Sequence, residues 1–163
     1  TFNEYAVVSE NRITSIPDNF DPEIGALMGC AVTTGLGVIN NNAKVKIGES
    51  VVVWGAGGLG LNIVQGATMV SAYPIIAIDL FDHKLDLALK MGATHTINAK
   101  ITNPENEILN IVEKHNINYI DIVEVLFNKI NDPLSMFSFR QASHYNEKGY
   151  NLLVNEIFKF FEF

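Results

Sequence analysis

The sequence predicts an α/β protein built on a parallel sheet. Three observations carry this expectation. Short apolar, β-branched runs recur, as VVVW at 51–54, YPIIAID at 73–79 and THTIN at 94–98. Segments with apolar residues at helical spacing separate them. Turn residues stand at the junctions. Strands alternating with helices of this length imply βαβ units.

Taken in order, AKVKIGES supplies a turn at Gly48 and Glu49. VVVW reads as a strand buried on both faces. The following LNIVQGATMV places Leu61, Val64 and Thr68 at helical spacing, with Ile63 and Ala67 beside them. A second buried strand, Ile75 to Asp79, ends in a carboxylate. Asp82 is read as the cap of a helix through HKLDLALKM, with Leu85, Ala88 and Leu89 on its apolar face. Gly92 stands where a C-terminal helix glycine belongs. A third strand, THTIN, follows. Asn103-Pro104 opens another helix, with Asn as cap, Pro in the first turn and Glu105 and Glu107 close behind. Its apolar positions are Ile108, Ile111 and Val112. Tyr119 to Val125 reads as a fourth strand, for a sheet order of 3-2-1-4. A last helix starts at Asn146 with a stripe of Tyr150, Leu153, Ile157 and Phe160.

The chain has 163 residues, 48% of them hydrophobic and 18% charged, which suits one globular domain over 1–163. The net charge of −7 and the lack of basic runs argue against nucleic acid as a partner. No stretch reads as the 18 or so apolar residues of a membrane span, so no membrane partner is expected. The N-terminus shows no signal-peptide pattern. A lone cysteine, Cys30, excludes an internal disulfide and fits a cytoplasmic setting.

Between the first strand and its helix lie Gly55, Gly57, Gly58 and Gly60, spaced as G-x-G-x-x-G. In a strand–turn–helix context the first glycine permits a tight turn. The second lets a pyrophosphate approach the backbone, and the third lets helix and strand pack closely. The phosphates would meet free N–H groups at the positive end of the helix dipole. Asp79, 19 residues beyond Gly60, stands where a carboxylate can accept both adenosine ribose hydroxyls. A 2′-phosphate would meet its negative charge, so the pattern selects NAD over NADP. The fold class is therefore a Rossmann-like three-layer α/β fold.

The run GALMGCAVTTGLGVINNNAKVKIGESVVVWGAGGLGLNIVQGATMVSAYPIIAIDLFDHKLDLALKMGATHTIN resembles the cofactor domain of zinc-dependent, medium-chain alcohol dehydrogenases. TFNEYAVV before it resembles the segment that leads into that domain, so residues 1–20 are read as a lead-in from a catalytic domain. The resemblance is dense to about His95 and thinner to about His115. It implies an NAD-dependent oxidoreductase acting on CH–OH groups. It also implies roles residue by residue: Cys30 matches the third protein ligand of the catalytic zinc, and Thr34 a position beside the nicotinamide. Gly55, Gly57, Gly58, Leu59 and Gly60 match the pyrophosphate loop, Asp79 the ribose-binding acid, and Lys84 a lysine that also reaches the ribose.

In the family the other two zinc ligands come from the catalytic domain, and none of His83, His95, His115 and His144 stands in a ligand motif. The expectation is an NAD-binding platform, inactive alone, with the Cys30 position empty of zinc. From about residue 116 the resemblance fades. SHYNEKGYNLLVNEIFKFF resembles the closing helix of SGNH-type esterases and acyltransferases, with Gln141 and His144 at their acid and histidine positions. Two alternatives follow: a non-catalytic NAD-binding module, and a hydrolase fragment using His144. The sheet edge and the phenylalanines Phe158, Phe160, Phe161 and Phe163 favour a homodimer.

Overall fold

The computed structural model describes residues 4–140 and 144–161. Gln141 and Phe163 lie outside the described residues. The chain divides into two compact units, one ending at Ile108 and one starting at Leu109, where the sequence reads as a single domain.

In the first unit, residues 5–19 are exposed and largely without regular structure, apart from one turn at Glu10–Arg12. A long helix follows, α1, Pro22–Ala43. Asp21 caps it by accepting the Glu23 N–H at 2.8 Å, and Pro22 fills its first position. Two stretches, Met28–Val32 and Val38–Ala43, are wound as π-helix. The sequence signal for this start was an Asp-Pro pair.

By length and composition α1 could cross a membrane, which corrects the sequence-based expectation. No residue between Glu23 and Lys44 is charged, and glycines, threonines and asparagines hide the run from a reading that counts apolar residues. A core helix of a globular protein passes the same test. In this chain α1 buries Gly35 and Ile39 against the next helix.

The sheet has three parallel strands in the order β1-β2-β3: β1 Val51–Trp54, β2 Ile75–Asp79 and β3 His95–Asn98. Val51 pairs with Ile75 and Trp54 with Ile78, while Ile76 pairs with His95 and Asp79 with Asn98. Helix α2, Gly58–Met69, connects β1 to β2, and α3, Asp82–Lys90, connects β2 to β3. Leu61, Val64 and Ala67 of α2 and Ala88 of α3 pack with Val53, Ile75 and Ala77 as one core. Alternation puts Val52 and Trp54 on the other face of β1, where they are 45% and 66% exposed.

Two local expectations are corrected. Asp82 does not cap α3. The preceding residue is Phe81, and the Asp82 carboxylate instead accepts from the Asn98 side chain. The fourth strand is not formed. Ile122–Val125 is one helical turn, α5, started by Asp121, whose carboxylate accepts the Glu124 N–H at 3.2 Å. The β-branched run there lost to a local Asp cap, so the sheet stops at 3-2-1.

Helix α4, Pro104–Lys114, is capped by Asn103, which accepts from the Glu105 and Asn106 N–H groups. The second unit then winds through short turns to α6, Glu147–Phe161. Asn146 braces it. Its side-chain Oδ1 accepts the Gly149 N–H at 2.9 Å, and its Nδ2 donates to the carbonyls of Ser135 and Phe137. Met136 is fully buried, and Phe137 stacks on Tyr145 at 4.9 Å. His144 is exposed beside the Phe137–Tyr145 bridge.

Candidate functional site

The site sits at the carboxyl ends of β1 and β2. β1 ends at Trp54, and Gly55 turns the chain with φ +99°, a conformation only glycine adopts without strain. Its N–H still donates to the Ile78 carbonyl at 2.7 Å, so the turn starts from the sheet register. Ala56 is fully buried. Gly57 precedes the first turn of α2, whose leading N–H groups have no partners within the helix. A Cβ added at Gly57 or Gly58 would meet nothing within 4 Å. That open space lies over the helix N-terminus, as a phosphate cradle requires. Gly60 differs: a Cβ there would lie 1.8 Å from the Gly55 carbonyl oxygen, so close strand–helix packing fixes it as glycine. Leu59 is 45% exposed. The loop borders a cleft of about 660 Å³ that also takes in Val38, Val52 and Trp54.

Asp79 closes β2 and turns inward, its side chain only 8% exposed. Oδ2 accepts the Ala56 N–H at 2.8 Å. Oδ1 accepts Leu80 N–H at 2.8 Å and Phe81 N–H at 3.2 Å. Lys84 Nζ stands 3.6 Å from Oδ1 and 5.0 Å above the Phe81 ring. Burial pushes the Asp79 carboxyl upward, but the three amides and the Lys84 charge outweigh it and hold it below its ordinary value. A cleft of about 270 Å³ opens among Trp54, Asp79, Phe81, Lys84 and Ala99.

The glycine loop, Asp79 and Lys84 thus converge on one region, although up to 29 positions separate Gly55 from Lys84. Cys30 and Thr34 lie one turn apart on α1, both exposed. Gly35, next to Thr34, would clash with Asn62 of α2 if it carried a Cβ, so α1 is pressed against the helix that the loop begins. Sequence reasoning missed Phe81 and Trp54, whose side chains wall the smaller cleft. An aromatic directly before the glycine loop was the available signal for Trp54. Among the described residues no group of three or more His, Cys, Asp and Glu side chains could hold a metal.

The family model for zinc-binding dehydrogenases matches residues 58–128, starting at the third glycine of the loop. Residues 58–128 thus match the zinc-dependent alcohol dehydrogenase family. The chain is 50% identical over 100 residues to S-(hydroxymethyl)glutathione dehydrogenase of Synechocystis, covering 61% of this chain and 27% of that protein. To the enzyme of the same name from Escherichia coli O139:H28 it is 43% identical over 120 residues, 73% of this chain and 32% of the relative. Among solved structures, benzyl alcohol dehydrogenase from Acinetobacter calcoaceticus matches with TM-score 0.57 and 37% identity, over 60% of this chain and 27% of that one. Galactitol-1-phosphate dehydrogenase from Escherichia coli matches with TM-score 0.61 and 29% identity, over 70% and 32%. The chain thus spans between about a quarter and a third of the length of these dehydrogenases. The family is zinc-dependent and NAD-linked.

Proposed function

We propose that this dehydrogenase segment holds NAD(H) for a protein that oxidises CH–OH groups. The observation that carries it is Asp79: a carboxylate at the end of β2 with its side chain 8% exposed, bonded to the glycine loop through Ala56 and flanked by Lys84. Gly57 and Gly58 leave room for the pyrophosphate, and the N–H groups opening α2 face it. A carboxylate offers about four acceptor directions. Three are taken by amides in this fold, which leaves one, on Oδ2, for a ribose hydroxyl. Lys84 serves the second hydroxyl. A 2′-phosphate would be placed beside Asp79, whose charge is held on by its own hydrogen bonds.

Bound NAD supplies the hydride acceptor. The chain's own part is to bind and orient it, with Thr34 of α1 beside the nicotinamide. Cys30 keeps the family's ligand position, but the described residues supply too few donors for zinc. No step is assigned to a metal on this chain. The substrate class follows from the relatives, whose names all denote hydroxyl compounds.

Titration calorimetry tests this reading. NAD should bind at least about tenfold more tightly than NADP, since a charged hydrogen bond is worth about 1.5–3 kcal/mol. Equal affinity for the two would remove Asp79 from the site.

A further inference from the structure

The carboxylate that selects the ribose also reaches back into the loop that holds the phosphates. Ala56 lies between Gly55 and Gly57, 23 residues before Asp79, and its N–H donates to Asp79 Oδ2. Ala56 is fully buried in the main core cluster, so its peptide is not free to rotate toward water or another acceptor. The neighbouring Gly55 N–H donates to the Ile78 carbonyl. Two consecutive amides of the loop are thus tied to the end of β2, one by backbone and one by a charged side chain.

From this geometry we infer that Asp79 is a positioning residue for the pyrophosphate loop as well as a ribose contact. It sets the Ala56 peptide, which in turn aims Gly57 and Gly58 at the phosphates. The inference rests on the NAD-binding reading above and adds a coupling between two parts of the cofactor site. A substitution at Asp79 should then weaken ligands that never touch its carboxylate.

The test uses an NAD analogue whose adenosine ribose lacks the 2′ and 3′ hydroxyls. Calorimetry compares it with NAD on the unaltered chain, Asp79→Ser and Asp79→Asn. Amide hydrogen exchange at Ala56 and Gly55 is followed by NMR in the same three proteins. The serine side chain is too short to reach Ala56, so the analogue should bind about tenfold more weakly or worse. Exchange at Ala56 should rise while Gly55 stays protected. Asparagine, with one oxygen for three amide donors, should fall between. Equal analogue affinity across the three proteins, with unchanged exchange at Ala56, would confine Asp79 to the ribose and overturn the inference. If the unaltered chain binds neither nucleotide, the cofactor reading fails. Exchange at Ala56 then still decides the tie: faster in Asp79→Ser supports it, unchanged refutes it.

Discussion

Two glycines of the loop should respond to substitution in opposite ways. At Gly60 an added Cβ falls 1.8 Å from the Gly55 oxygen and 2.9 Å from its carbonyl carbon. Side-chain carbons do not approach other atoms within 3.0 Å, so one backbone must retreat by about 1.2 Å. The Gly55 turn is anchored to Ile78 by its N–H, and the retreat therefore strains the β1–β2 register. Overpacking of this kind costs about 1–3 kcal/mol and sometimes more, offset by at most about 1 kcal/mol of helix preference for alanine. Gly60→Ala should lower the melting temperature by about 2–4 °C for each net kcal/mol lost. At Gly57 the backbone is ordinary, with φ −81° and ψ −172°, and nothing stands within 4 Å of a Cβ. Gly57→Val should stay within about 0.5 kcal/mol of the parent. It should nevertheless lose NAD binding by at least about a hundredfold, because two charge-assisted contacts of about 1.5–3 kcal/mol each are blocked. Thermal denaturation and calorimetry on the two variants decide the matter. Equal stability losses, or full NAD affinity in Gly57→Val, would show that the loop has been assigned wrongly.

Asp79 gives a pH signature. Its folded carboxyl lies below the ordinary value of 3.8, so its stabilisation is complete above that value and is lost as pH falls through the folded one. The gap in urea midpoint between the parent and Asp79→Asn should hold from neutral pH to about 5 and close below 3.8; a gap that widens in acid would contradict the ion's role. Asn146→Ala removes the brace of α6 and should cost about 1–2 kcal/mol, read as a lower denaturant midpoint for the second unit. Elemental analysis of the purified chain should find well under one zinc per chain, with no change on Cys30→Ser. A full equivalent lost in that variant would mean that ligands have gone unrecognised.

The first unit was legible because its signals are local and redundant. β1, α2, β2, α3 and β3 each carry a β-branched run or a helical stripe, and glycines mark the joints at Gly55 and Gly92, both with positive φ. Lys84 was pointed to by the family resemblance, and that Asp79 ends β2 was readable from the strand pattern. That Oδ2 binds Ala56 was not, since a contact across 23 residues depends on how β2 ends beneath the loop. α1 escaped because a π-wound helix rich in Gly, Thr and Asn shows no clean 3.6 period. The strand expected at 119–125 failed for the opposite reason. Its apolar run has strand character, but Asp121 offers Glu124 a cap within three residues, and among the described residues β1 pairs with β2 alone.

Trp54 has a practical consequence. It is the chain's single tryptophan, two-thirds exposed, and it borders both clefts. Ultraviolet emission from this chain therefore arises at the site, undiluted by other indoles. A nucleotide settling between the loop and Asp79 would exclude solvent from that ring, shifting its emission to shorter wavelength. A reduced nicotinamide nearby would absorb the emitted light and glow in turn. The chain is its own optical probe, and occupancy can be followed without label, tag or turnover.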